Sequence, residues 1–233
     1  MPFYYDRIYW ILLIPVLLLS VYAQIKVSSS FGRYSQGRNR RGVTGAQAAY
    51  EVLRANGVHD VVIRPCPGKL TDHFDPRDNT IYLSEPVYNT PTVAAVGVAA
   101  HEAGHAVQYA MGYGPVRVRT AILPVTQFGS QFAFIALMLG IFLYVQPLFL
   151  VGIILFGLTT LFQLVTLPVE FDASARALGA IDGTCLLDED ERKGAKKVLT
   201  AAALTYVAAL LMSLLQLLRY LLIFAGRDDR RRR

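Results

Sequence analysis

From Phe128 to Leu167 no residue carries a charge and nearly all are apolar. This stretch constrains the fold more than any other feature of the chain. The hydrocarbon core of a bilayer accepts about 20 apolar residues of helix. Gln146-Pro147 divides the stretch into two such lengths, Phe128–Val145 and Leu148–Leu167. Two further apolar runs, Ile8–Ile25 and Leu199–Phe224, flank the pair. With 54% of the 233 residues hydrophobic and 17% charged, the chain has more apolar surface than one water-soluble globule hides. In lipid the backbone must satisfy its own hydrogen bonds, so these runs are read as helices. The expectation is a mainly α membrane protein with about four transmembrane helices.

The ends of the runs carry the marks of a membrane interface. Tyr4, Tyr5, Tyr9 and Trp10 stand at one end of the first run, with Tyr22 and Lys26 at the other. Pro15 should bend this helix without stopping it. The segment before the run holds only Asp6 and Arg7, with no net positive charge. It reads as an uncleaved anchor rather than a signal peptide, although Val21-Tyr22-Ala23 could pass as a cleavage site. Arg219, near the end of the last run, can snorkel to the interface.

The segment between the first and second runs is polar enough to form a small α+β lobe. Ser28–Gly42 reads as a basic linker, and Thr44 as the cap of a helix over Gly45–Asn56 that stops at Gly57. Val58–Arg64 and Thr80–Ser84 are strand-like, Leu70–Phe74 more weakly so, and Asp75-Pro76-Arg77-Asp78-Asn79 makes a turn. A small antiparallel hairpin is therefore expected. Asn89-Thr90-Pro91 then signals the start of a helix over Thr92–Met111. The chain divides into residues 1–26 (first span), 27–127 (lobe), 128–167 (helical hairpin), 168–198 and 199–233 (last span and basic tail). Pro168 should end the third span, and Gly183–Lys197 should form a charged loop.

The lobe's last helix carries Ala99-Ala100-His101-Glu102-Ala103-Gly104-His105-Ala106, an H-E-x-x-H motif in an apolar setting. On a helix His101 and His105 lie about 40° apart, one turn from each other. Two neutral imidazoles at that spacing can share a zinc ion, and the adjacent Glu102 carboxylate can take the proton of an attacking water. Three ionisable groups among Ala, Val and Gly would be costly without something to organise them. Together with Gln108, they also argue that this helix packs against protein rather than lipid.

A catalytic zinc site needs a third protein ligand. Counting crossings places residues 26–127 and 168–198 on one face of the membrane, with both termini and the Gln146 turn on the other. Glu170 and Asp172 therefore emerge on the face that holds the two histidines, and either carboxylate could complete the set.

Leu70-Thr71-Asp72-His73, Leu83-Ser84-Glu85-Pro86-Val87-Tyr88, Ala99–Ala106, Leu167-Pro168-Val169-Glu170-Phe171-Asp172-Ala173-Ser174 and Gly194-Ala195-Lys196-Lys197-Val198-Leu199 resemble the YugP-type family of membrane-bound neutral zinc metallopeptidases. More distantly, the layout is similar to HtpX and the CAAX prenyl proteases, gluzincins in which the Glu of an E-x-x-x-D helix is the third zinc ligand. The resemblance implies a zincin-like lobe with one Zn2+ held by His101, His105 and Glu170, with Asp172 as the alternative ligand. Ser174 stands where those enzymes have Asp. It further implies peptide hydrolysis with Glu102 as general base. The oxyanion needs another donor, which His73, Tyr88, Arg176 or Tyr206 could supply; His73 is the first to test. The Thr80–Ser84 strand, if it lay at a sheet edge, could hold an extended substrate by strand addition.

The leading reading is thus a membrane-embedded zinc endopeptidase acting on protein or peptide substrates in or near the bilayer. A second reading is a four-helix membrane scaffold or transport-type protein with a structural or sensory metal site. The uncharged middle spans weigh against a solute pathway. A third keeps the hydrolase but gives it another amide or ester. The +6 net charge comes from clusters beside the apolar runs, which suits lipid headgroups, and no nucleic-acid motif accompanies them. Lys26, Arg33, Arg38, Arg40, Arg41, Arg117, Arg119, Lys196 and Lys197 all fall on the site's face and none on the Gln146 turn. By the positive-inside rule that face is cytoplasmic in the cell membrane, although the tail Arg227–Arg233 pulls the other way. Cys66 and Cys185 read as two unpaired thiols. The sequence leaves the oligomeric state open.

Overall fold

The computed structural model describes the backbone of residues 2–231 and the side chains of residues 9–226. The side chains of Tyr4, Tyr5, Asp6, Arg7 and the tail Arg227–Arg233 lie outside that range. Ten elements follow in order: α1 (Pro2–Tyr34), α2 (Gly45–Ala55), β1 (Val62–Cys66), β2 (His73–Asp75), β3 (Thr80–Ser84), α3 (Glu85–Tyr88), α4 (Val93–Ala110), α5 (Gly114–Phe142), α6 (Gln146–Gly183) and α7 (Glu189–Arg231). Four of them, α1, α5, α6 and α7, are long and apolar enough to cross a membrane. The fold is mainly helical with one small sheet, as the hydropathy pattern requires.

These four helices outrun the apolar stretches that announced them. Helix α1 continues through Ser28–Ser30 to Tyr34, where a linker was expected. Ser29 there folds its hydroxyl onto the Lys26 carbonyl, as helical serines do. Helix α6 does not end at Pro168 but runs on to Gly183. Proline removes one backbone donor and strains the turn before it, yet long apolar helices absorb that locally. The expected charged loop Gly183–Lys197 is mostly the first turns of α7. Glu191 reaches back to the Asp188 backbone N–H at 3.2 Å, and Glu189, Asp190 and Glu191 place negative charge at the helix N-terminus.

The chain forms two compact units. One contains the apolar lengths around Val118–Leu167 and Tyr206 onward together with the first part of α1. Within it, α5 and α6 approach so closely at Gly140 that a Cβ there would sit 2.5 Å from the Phe149 backbone nitrogen. Phe149 is fully buried and packs against Tyr220 and Phe224. Thr160 and Ser213 share a buried hydrogen bond of 2.7 Å. Trp10, Ile14, Phe128, Phe134 and Leu161 stay exposed, as side chains that face lipid do.

The other unit comprises Ala23–Arg117 and Pro168–Thr205. Thr44 and Gln47 form a reciprocal capping box at the start of α2, which buries Ala48, Ala49, Val52 and Leu53. The sheet order is β1-β3-β2. Strands β2 and β3 form the expected antiparallel hairpin, with Phe74 opposite Ile81. Strand β1 begins at Val62 rather than Val58 and pairs parallel to β3. Thr80–Ser84 is therefore the central strand, buried at four of its five positions, and cannot receive a substrate by strand addition. The free edges belong to β1 and β2. Helix α4 starts one residue later than expected, with Thr92 accepting from the Ala95 N–H. Asn89 instead closes the short helix α3. Apolar residues of α2, β3 and α4 form one core with Ala177, Ile181, Ala195 and Leu199.

Candidate metal centre

Helix α4 is built almost wholly from Ala, Val and Gly before and between its histidines, and those small side chains let neighbouring backbone come close. The tightest approach is at Gly104, inside the H-E-x-x-H motif. A Cβ there would lie 2.6 Å from the Ala173 carbonyl oxygen of α6. That contact sets the α6 segment after Pro168 against the face of α4 that carries His101 and His105. Glu170 stands one turn before Ala173 and so reaches the same place.

The three side chains converge. Glu170 Oε2 lies 3.2 Å from His101 Nε2 and 3.6 Å from His105 Nε2. The two imidazole centroids are 4.6 Å apart at 80°, an edge-to-face arrangement. One ligand atom from each of His101, His105 and Glu170 fits within 4.8 Å of the others. Glu170 is 3% exposed, and Glu102 is buried next to His101 on α4. Burial alone would push the His105 imidazolium to a lower pKa. The Glu170 hydrogen bond and the Glu102 and Glu170 charges outweigh it and hold that pKa above the ordinary 6.5.

Each histidine is also held from behind. Ser174 Oγ lies 3.1 Å from His101 Nδ1, so the serine that replaces the aspartate of the E-x-x-x-D pattern supports the imidazole from that position. Gln108 Oε1 lies 3.0 Å from His105 Nδ1. Asp172 does not join the cluster. Its Oδ2 accepts from Gln108 Nε2 at 2.7 Å and from Arg176 Nε at 2.6 Å. Of the two carboxylates left open by the sequence, only Glu170 faces both imidazole Nε2 atoms.

A zinc ion fits this donor set on chemical grounds. Two imidazole nitrogens and one carboxylate oxygen converge in a half-buried position, and both imidazoles are braced through Nδ1. No fourth His, Cys, Asp or Glu joins them among the described residues. Three protein donors match a hydrolytic zinc site better than a closed structural one, which takes four.

His73 stands exposed on the edge strand β2, stacked on Tyr82 at 5.1 Å, with Nδ1 2.7 Å from the Thr71 carbonyl oxygen. A carbonyl only accepts, so Nδ1 carries the proton and Nε2 donates only in the imidazolium form. Its neighbour Phe74 meets Tyr109 of α4 edge-on. Tyr88 ends α3. Arg176 is engaged by Asp172 and lies 5.8 Å over the Tyr113 ring. Tyr206 lies outside the unit that holds the cluster. The support of His101 and His105 by Ser174 and Gln108 was not expected. Its only sequence signal is a polar residue three positions after His105 in an otherwise apolar helix.

The profile of a family described as "Putative neutral zinc metallopeptidase" matches residues 9–225. The chain is 47% identical over 219 residues to a protein of Bacillus subtilis (strain 168) named "Putative membrane protease YugP", covering 94% of this chain and 97% of the relative. No solved structure matches. A profile that spans nearly the whole chain, H-E-x-x-H helix included, places this protein in the family described as "Putative neutral zinc metallopeptidase".

Proposed function

We propose that the protein is a membrane-embedded zinc endopeptidase that hydrolyses peptide bonds of proteins or peptides in or beside the bilayer. The observation that carries this reading is the convergence of His101 Nε2, His105 Nε2 and Glu170 Oε2 beside the Glu102 carboxylate. His101, His105 and Glu170 would hold one zinc ion, as in a gluzincin. When bound, zinc supplies Lewis acidity to a water and to the scissile carbonyl.

The chain's own residues do the rest. Glu102, one position from a ligand and buried, takes the proton of the attacking water and returns it to the leaving amine nitrogen. Glu170 would hold the ion together with the two imidazoles and offset part of its charge. Ser174 and Gln108 orient those imidazoles from behind. His73, on the strand whose Phe74 meets Tyr109 of α4, is the first donor to test for the developing oxyanion. An extended substrate can pair with the outer edge of β2, the strand that carries His73. The four apolar helices anchor the chain in the membrane, with the catalytic face on the cytoplasmic side.

The test is a cleavage screen on the detergent-purified protein, using membrane-protein substrates. Glu102→Gln should retain zinc and lose cleavage by at least about 10²-fold, the contribution of a positioned acid–base group. Cleavage by Glu102→Gln at the wild-type rate would overturn the assignment. The same screen with ester and non-peptide amide substrates separates peptidase from a broader hydrolase.

A further inference from the structure

Gln108 is fully buried, three residues after His105 on the same face of α4. A buried amide must spend both ends, and here each end has a distinct partner. Its nitrogen lies 2.8 Å from the Val169 carbonyl oxygen and 2.7 Å from Asp172 Oδ2. Neither a carbonyl nor that carboxylate, which already accepts from Arg176 Nε at 2.6 Å, offers a proton. The amide therefore cannot be flipped without facing two acceptors with a third acceptor. Its oxygen must face His105 Nδ1, 3.0 Å away, and an amide oxygen only accepts. The proton of neutral His105 is thereby fixed on Nδ1, which leaves the Nε2 lone pair directed to the side where Glu170 lies.

His101 lacks such a lock. Its Nδ1 partner is the Ser174 hydroxyl, which can donate or accept and so selects neither tautomer. Arg176, which holds Asp172, is braced in turn: its Nη1 lies 3.3 Å from Met111 Sδ and its guanidinium sits over the Tyr113 ring. The chain from Arg176 through Asp172 to Gln108 thus ties α6 and the end of α4 to one nitrogen of one imidazole.

We propose that Gln108, held by Asp172, is a positioning residue that presets His105 in the Nδ1–H tautomer and so prepares Nε2 for the metal. The metal half of this statement rests on the zinc reading above; the tautomer half does not. Loss of a group that supports a metal-bound histidine lowers metal affinity by about 10- to 100-fold.

The test uses the full chain in detergent micelles, labelled with 15N-histidine, at alkaline pH where imidazoles are neutral. In the metal-free wild type, His105 should show a protonated Nδ1 and an unprotonated Nε2. Gln108→Leu, which has no hydrogen-bond acceptor, should give a mixture of tautomers. Its zinc affinity, read by chelator competition, should fall about 10- to 100-fold. A metal-free wild type with the His105 proton on Nε2 overturns the proposal whether or not any variant folds. So does a Gln108→Leu protein with wild-type tautomer and wild-type zinc affinity. A wild type that shows the Nδ1–H tautomer but takes up no zinc keeps the positioning role of Gln108 and refutes the zinc reading instead.

Discussion

Gly104→Ala is the sharpest structural perturbation of the site, because two opposing effects can be weighed. In an isolated helix the change would stabilise by about 1 kcal/mol, since alanine loses less backbone entropy than glycine. Here the added Cβ would stand 2.6 Å from the Ala173 carbonyl oxygen and 3.2 Å from its carbon, both backbone atoms. Reaching an ordinary contact distance requires α4 and α6 to part by about 0.6–0.8 Å, since a backbone atom cannot rotate away. Overpacking of this kind costs about 1–3 kcal/mol, so the metal-free protein should be equally stable or up to about 2 kcal/mol less stable. The larger effect falls on the metal. Zinc–ligand distances tolerate about 0.2 Å, and Glu170 rides on the segment that must move. Zinc affinity should drop at least about tenfold, or about 1.4 kcal/mol. Chelator competition measures that loss, and melting with and without zinc measures the smaller stabilisation by the ion. A Gly104→Ala protein that melts higher than wild type and binds zinc equally well would show that this close approach does not position Glu170.

The remaining expectations concern the ligands and their supports. Glu170→Ala should lose zinc, whereas Asp172→Ala should keep one ion bound about 10- to 100-fold more weakly, as metal analysis after gel filtration would show. Equal losses would return Asp172 to the ligand set. Ser174→Ala should weaken zinc binding, and Ser174→Asp, which supplies a firm acceptor at His101 Nδ1, should strengthen it; titration with a competing chelator reads both. pH should act in opposite directions on the metal-free fold and on metal uptake. His105 is held protonated by Glu170 above its ordinary 6.5, so the charged pair stabilises the metal-free protein below pH 6.5 and that contribution disappears as pH rises through the raised value. Zinc needs the neutral imidazole, so affinity should weaken as pH falls from above 6.5. Melting curves and zinc titrations across that range check the two signs.

What was legible in the sequence follows the range of the interactions involved. The four long helices were legible because lipid imposes a length and an apolar composition on each one separately. His101, Glu102 and His105 were legible because helical spacing alone puts them together. Counting crossings brought Glu170 and Asp172 to the face of the histidines and a resemblance favoured Glu170, whose distances to both imidazoles separate it from Asp172 two residues on. Two local rules misled. Pro168 marks a helix end in water, but α6 passes through it, and the charges of Glu189–Lys193 belong to a capped helix rather than a loop. The central place of β3 depends on its parallel pairing with β1, which no local pattern encodes. The role of Gln108 depends on Val169 and Asp172, more than 60 residues away along the chain. Ser174 read as a missing aspartate, and its hydroxyl stands 3.1 Å from His101 Nδ1.

The central claim is that His101, His105 and Glu170 hold one zinc ion, and zinc-edge X-ray absorption on the purified full-length protein tests it most directly. The spectrum should show one zinc per chain with a first shell of nitrogen and oxygen only, two imidazoles among the ligands, and Zn–N distances of about 2.0–2.1 Å. The same spectrum should appear in Glu102→Gln and vanish in Glu170→Ala. A sulfur ligand from Cys66 or Cys185, or a zinc shell unchanged by Glu170→Ala, would contradict it.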